Sequence, residues 1–369
     1  MVREVPLLDT LRKHGASLGE FAGWLTAMDY GNPMEEHLAT RNEATAFDVS
    51  HMGRYVIRGS KLFEFFQKAV SKDLKKFRQG FMSGPVLLLN DEGGIKDDIM
   101  LYYLSDDEWL AVVNAPNVEK DKEWLESLRE RFGYSESDVF IEDVTLKTAL
   151  IAIQGPKSAD ILEEMGFAEA KKLSILQFVP NAEILGEEVK LVSRSGWTGE
   201  EVRSYGFEIW TTIDHGRKVF EKALELGAKP AGLIARDSLR LEMGYLLIGG
   251  DMDESTNPIE ARYWLPLTRG KEGCVGCDKV NEHYVKGAQK FRIGFTLKKK
   301  DRAIARHGHK IFVDGKEVGY VTSGAYSPVL KRSIGMGYVK ASHAYIGYRL
   351  DIEIRGVMHE AKILDFPLI

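Results

Sequence analysis

Between Val86 and Val113 the chain makes three apolar runs with two polar breaks between them: VLLLN, then DEGG, then IKDDIMLYYL, then SDDE, then WLAVV. Runs this short, closed by Gly, Asn and Asp clusters, read as strands and turns. The stretch therefore predicts three antiparallel strands over 86–89, 95–101 and 109–113. Asp97 and Asp98 fall in the second strand, just past a glycine turn. Side chains alternate along a strand, so one carboxylate is expected inward and the other toward water. An inward carboxylate beside a turn that lets a ligand come close is a candidate acid or base. The plainer reading is a pair of carboxylates that solvate a hairpin.

At 369 residues the chain exceeds one ordinary core, so two or three domains are expected. A hydrophobic fraction of 44% and a charged fraction of 28% are those of a globular protein. The net charge of -5 argues against a broad nucleic-acid footprint. No apolar run is long enough to span a bilayer, so no membrane role is expected. The opening MVREVPLLDTLRKHG lacks the apolar core of a signal peptide and reads as a short helix, which predicts a cytoplasmic protein. Cys274 and Cys277 are spaced C-x-x-C. That spacing suits a redox pair or half a zinc site, but only Asp278 and His283 lie near as further ligands. The pair is read as two structural thiols, with no metal.

Amphipathic spacing predicts helices over 35–41, 61–70, 117–131, 158–165, 216–226 and 236–243, with strands at 54–57, 148–153, 189–193 and 206–212. Similar strand-helix-strand stretches on either side of Phe140 hint at an internal duplication. From Gln289 onward short alternating runs (FRIGFTL, KIFVDG, EVGYVTSG, SIGMGYV, RLDIEIRG, AKILDF) alternate with Gly, Asp and Lys turns. This texture predicts an all-β barrel or sandwich, with its boundary near 280–288.

Six segments then stand together: FDVSHMG (47–53), DEGGIKDD (91–98), NAPNVEKD (114–121), GWTGE with GFEI (196–209), GLIARDSLRLEMGY (232–245) and SGAYSPVLKRSIGMGYV (323–339). In content and order they resemble the motif series of the aminomethyltransferase family, the T-protein of the glycine cleavage system. The resemblance covers nearly the whole chain. It implies an α+β, three-domain, cloverleaf-like folate-binding fold, made of two interleaved α+β domains and a C-terminal β-barrel. The folate-binding region would be 1–283, divided roughly into 1–50 with 141–283 and 51–140, and the barrel 284–369. It also implies tetrahydrofolate as co-substrate and the lipoylated H-protein as partner. The reaction would move a methylene from an aminomethyl group to tetrahydrofolate and release ammonia. By motif position Asp97 is the implied catalytic carboxylate, with Asp98 in support. Glu208 would hydrogen-bond the pterin, because a carboxylate accepts two parallel donors. Arg236 would lie by the folate, and Met52, Asn114, Trp197 and Tyr245 would line its cavity. His51 has no evident nucleophile partner and is read as structural.

The chain departs from the family pattern in places. Trp197 stands where a tyrosine is common, which keeps a stacking face and loses a hydroxyl. EVRSY (201–205) lengthens the segment between the two glycine motifs, Pro85 stands where many members have tyrosine, and Lys362 is the nearest match to a late basic contact. Two relatives of the same fold are the alternatives: a tetrahydrofolate-dependent demethylase, and a non-enzymatic folate-binding protein for iron–sulfur maintenance, whose signature KEGCVGCDKV (271–280) matches in part. A flavin-linked relative is disfavoured, since no G-x-G-x-x-G opens a strand-helix unit. The basic run FTLKKKDRAIAR (295–306) is a candidate surface for an acidic carrier.

Overall fold

The computed structural model describes residues 2–369. The architecture is mixed α+β and ends in a closed six-stranded barrel. The chain divides into two compact units, residues up to 88 with 97–236, and 89–96 with 237–369. No helix among the described residues is long and apolar enough to cross a membrane.

The first unit holds two large sheets. One has five strands in the order Met82–Leu89, Ile95–Tyr103, Glu108–Val113, Gly53–Arg58, Phe140–Asp143. Its first three strands are the three expected from the apolar runs. Pairing of Tyr103 with Trp109 and Ile57 with Trp109 puts these side chains on one face, together with Tyr55, Ala111 and Leu101. Helices Leu62–Ala69 and Val118–Arg131 cover that face. Phe66 stacks on Trp109 with ring centroids 5.3 Å apart, and the Tyr55 hydroxyl donates to the Val118 carbonyl at the start of the second helix. Gly53 is required there, since any Cβ would run into Val113 and Val118. The opposite face carries Asp98, Met100 and Tyr102, paired through Met100 to Val112 and Tyr102 to Leu110. Tyr102 meets Phe178 of the second sheet edge-on, at 5.5 Å.

The second sheet has six strands in the order Phe178–Pro180, Leu191–Ser193, Gly206–Thr212, Thr148–Gln154, Thr45–Asp48, Lys229–Pro230. Its far side buries Ile151, Ile153, Phe207 and Ile209 against Val219 and Phe220 of helix Ile213–Glu225. Thr212 caps that helix by accepting from the His215 N–H. Helix Pro33–Asn42 starts with Asn32, whose side chain accepts from Met34 and Glu35, followed by a proline in the first turn. A hairpin of Ser17–Phe21 and Trp24–Asp29 precedes it. The alternation there is too broken for the sequence to announce it.

In the second unit the barrel strands run Lys290–Leu297, Arg332–Lys340, Lys316–Ser327, Lys310–Val313, Arg349–Ile354, Val357–Leu364 and close on the first. Closure removes every sheet edge, and Ile293, Phe295, Val321, Ile352 and Ile363 fill the interior. The expected boundary at 280–288 is largely helix, Cys277–Lys286. Cys274 and Cys277 are joined as a disulfide, so the expectation of two thiols is corrected. The Asn90–Gly94 turn belongs to this unit. Asn90 accepts from the Gly94 N–H at 2.8 Å, and a Cβ on Gly94 would meet the Glu254 carbonyl. The double glycine is thus set by turn geometry and by close packing.

Candidate active site

The FDVSHMG segment leaves the second sheet at Asp48 and enters the first at Gly53. Its turn is tied down by Arg54, which is fully buried and donates to the carbonyls of Ser50 (3.1 Å) and Thr148 (3.0 Å) and to those of Met52 and Thr145. Burial pulls this guanidinium down to about 10. Asp48 accepts from the Ser50 N–H at 3.0 Å, and burial pushes its carboxyl up to about 6. The turn presents Met52 and His51, both buried. His51 is held neutral by burial and by the nearby Arg236 and Arg54 charges. Its Nε2 lies 3.3 Å from Nη1 of Arg236, so the imidazole accepts from the guanidinium and orients it. Asp237, the next residue, accepts from Nε of Arg240 at 2.7 Å.

Asp97 and Asp98 follow the strand alternation, but the expectation that one faces water is corrected. Both are buried, because helices cover one face of the sheet and the second sheet approaches the other. Asp97 lies on the helix side. Its Oδ1 accepts from the Asp98 N–H (2.9 Å) and the Asn114 amide (2.7 Å), and its Oδ2 from the Asn114 N–H (3.0 Å). Burial raises its pKa, and these hydrogen bonds offset part of the rise. Asp98 shares the other face with Tyr102, and its Oδ1 accepts from the Asn114 amide at 2.8 Å. Asn114 therefore stands between the two carboxylates.

Glu208 is buried on strand Gly206–Thr212. Burial raises its pKa, and the Ser195 hydroxyl (2.7 Å to Oε2) and the Arg236 charge pull against that rise. Burial lifts the Tyr102 phenol and the Glu208 charge adds to the rise, while the Ser193 and Ser195 side chains pull against it. These contacts gather Tyr102, Ser193, Ser195, Glu208, Arg236 and His51 into one group.

A buried amide builds that group. Gln154 donates to the carbonyls of Ser195 (3.0 Å) and Phe207 (3.2 Å), and accepts from the Thr198 hydroxyl at 2.8 Å. A Cβ on Gly196 or on Gly206 would collide with it. The glycines of GWTGE and GFEI thus make room for Gln154, which in turn fixes the residues beside Ser195 and Glu208. Trp197 is half-buried in the same loop. The inserted residues form a helical turn, Glu200–Arg203, where Arg41 donates to the Thr198 carbonyl and to Glu200, each at 2.7 Å. Tyr245 lies in the second unit, half-buried, and its carbonyl accepts from Arg240 at 2.9 Å.

Sequence reasoning missed Tyr102, Ser193, Ser195 and Gln154, which sit in apolar or small-residue runs with no spacing to flag them.

Two family descriptions match the chain: the GCVT N-terminal domain over residues 7–265, and the glycine cleavage T-protein C-terminal barrel domain over 290–369. A probable aminomethyltransferase of Aeropyrum pernix is 41% identical, over 100% of this chain and 98% of its own. An aminomethyltransferase of Geobacillus kaustophilus is 36% identical over 100% and 98%. The crystal structure of glycine cleavage system aminomethyltransferase T from Bartonella henselae superposes with a TM-score of 0.91 at 32% identity, over 100% and 98% of the two chains. Fold and domain order together define a group-transfer protein of one known architecture. The chain belongs to the glycine cleavage T-protein family, whose members use tetrahydrofolate as a substrate.

Proposed function

We propose that this chain transfers the methylene of an aminomethyl group, carried on the lipoyl arm of a partner protein, to tetrahydrofolate. Bonds from the methylene to nitrogen and sulfur break, and bonds to folate N5 and N10 form. The hydrogens displaced from N5 and N10 end on ammonia and on the lipoyl thiol, so no oxidant is needed. The site supports the reading through one observation above all: two buried acids, Asp98 and Glu208, lie on the two facing sheets, Asp98 on the face that carries Tyr102 and Glu208 accepting from the Ser195 hydroxyl. Glu208 has the carboxyl to accept amino and ring N–H groups of a pterin. Arg236, steered by His51, supplies the neighbouring positive charge. Met52, Asn114 and Trp197 are proposed to bind around the same ligand.

The reacting carboxylate is proposed to be Asp98 rather than Asp97. Asp97 is taken up by three N–H donors on the helix side of the sheet. Asp98 shares its face with Tyr102 and can stabilise positive charge that develops at the methylene. The lipoylated H-protein is proposed as the donor.

The test is turnover of the purified chain with tetrahydrofolate and aminomethyl-loaded H-protein, with ammonia and methylenetetrahydrofolate read together. Both products are expected in equal amounts. Asp98→Asn should lower kcat by about 100-fold or more while folate affinity is kept. Tight folate binding without turnover would remove this reading, and a wild-type kcat in Asp98→Asn would return the role to Asp97.

A further inference from the structure

The hairpin of Ser17–Phe21 and Trp24–Asp29 is fastened to the start of the helix that carries Arg236, and the clasp is a carboxylate. The chain leaves the edge strand Lys229–Pro230 and enters helix Leu233–Met243 at Gly232. The Gly232 carbonyl accepts from the Arg236 N–H at 3.1 Å, so Gly232 caps the helix and Arg236 lies one turn inside it. The N–H of a cap residue has no acceptor within its own helix. Glu36, buried on helix Pro33–Asn42, supplies one. Its Oε2 accepts from the Gly232 N–H at 2.9 Å, and its Oε1 accepts from the Tyr30 N–H at 2.6 Å. One carboxylate thus bridges two backbone segments that are far apart in the sequence. An ionised carboxylate suits the place, since both of its oxygens accept and a helix start favours negative charge.

Two further contacts make the same join. A Cβ on Gly232 would lie 2.3 Å from the Met28 carbonyl oxygen and 2.6 Å from the Asp29 nitrogen, so the hairpin backbone rests directly on the cap residue. On the other strand of the hairpin, Phe21 meets the His51 ring edge-on with centroids 5.8 Å apart. His51 in turn accepts from the Arg236 guanidinium at 3.3 Å. The hairpin therefore supports both the backbone that carries Arg236 and the imidazole that orients its side chain. Asp29 fixes the end of the hairpin, accepting from the Ser17 hydroxyl at 3.1 Å and the Gly31 N–H at 2.8 Å.

We infer that Glu36 is a positioning residue for Arg236: by clasping the Tyr30 and Gly232 N–H groups it sets the hairpin and the helix start that together place the guanidinium. This rests on the folate role of Arg236 proposed above. Both Glu36 oxygens are taken by backbone N–H groups, so its effect on the ligand runs through what it holds.

Titration of tetrahydrofolate into the protein, with no carrier present, tests the inference. Glu36→Gln keeps the size of the side chain and turns an amide N–H toward one of the two donors. Gly232→Ala pushes the hairpin off the helix start without changing any charge. Each should weaken folate binding about tenfold, at a temperature where circular dichroism shows the variant folded. In an Arg236→Ala background neither should add more than about twofold, because the group they move is gone. Equal losses with and without Arg236 would make Glu36 a packing residue and overturn the inference. Nitrogen-15 NMR of histidine-labelled protein gives a readout that needs no folate. The His51 Nε2 resonance, assigned by its loss in His51→Gln, should move in Glu36→Gln toward its position in Arg236→Ala. An unmoved resonance overturns the inference even where the transferase reading stands. A wild type that binds no folate removes that reading, and the resonance still decides the role of Glu36.

Discussion

Asp48 bonds the Ser50 N–H through one carboxylate oxygen, while its other oxygen is buried without a partner. Its carboxyl is pushed up from 3.8 to about 6. The sign follows directly. Below about pH 4 the group is protonated in both states and contributes nothing; above that the unfolded chain releases its proton first. The native state then loses relative stability until the pH passes about 6. The full penalty is ~3 kcal/mol. Asp48→Asn keeps the acceptor and removes the charge. Urea unfolding of the two proteins should therefore show the wild type losing ground to Asp48→Asn between pH 4 and 7, and parallel pH curves would disprove it. At this scale the sequence told part of the story. Alternation along 95–101 separates Asp97 from Asp98 correctly, yet it says nothing of what covers each face. The water expected beside one of them is replaced by a second sheet whose strands come from distant segments. Glu208 and Arg236 were singled out through their motifs, and the structure brings the Arg236 charge to bear on Glu208. Ser195 and Tyr102 were not, because a serine or tyrosine looks the same in the sequence whether or not a carboxylate stands beside it.

Elements turn on small residues and one buried ion pair. Gly206→Ala forces a methyl against the Gln154 amide, which three hydrogen bonds hold in place. A loss of about 1–3 kcal/mol is expected from such overpacking, read as a lowered Tm. An unchanged Tm would show that the amide can move aside. Arg41 and Glu200 are almost wholly buried, and their pair holds the inserted turn Glu200–Arg203. Arg41→Ala removes the nearer cation from buried Glu200 and leaves it the Ser204 hydroxyl and Arg203 at 3.7 Å, so a loss of about 3 kcal/mol is expected. Arg41→Ala with Glu200→Gln should recover part of it in the same denaturation assay. The strands and helices with clean periodicity were legible within a few residues of their ends. Helix Cys277–Lys286 was not, because its CDKVNEHYVK has too few apolar positions to show a face.

For the whole molecule, net charge is -5, yet Lys298, Lys299 and Lys300 are exposed together at the end of a barrel strand. Lys298 is paired with Glu360 at 3.0 Å, which leaves Lys299 and Lys300 as the residues to test. An acidic carrier steered by such a patch associates faster at low salt. Reversing Lys299 and Lys300 to Glu should raise the KM for aminomethyl-loaded H-protein about tenfold at low ionic strength and leave folate affinity alone. An unchanged KM would place the carrier elsewhere. The barrel itself was legible from its texture, since each short alternating run became a strand.

The order of the six-stranded sheet has a consequence for how the chain is made. Strand Thr45–Asp48 lies between Thr148–Gln154 and Lys229–Pro230. On the ribosome it waits for one neighbour across roughly a hundred residues and for the other until Pro230 has emerged. At about 5–20 residues per second, that leaves an unfinished sheet with a bare edge for roughly 10–40 s during each round of synthesis. The barrel strands, in contrast, all arrive within the last 80 residues. Translation speed through the first two thirds of the message is therefore the point at which the yield of this protein is most exposed to aggregation.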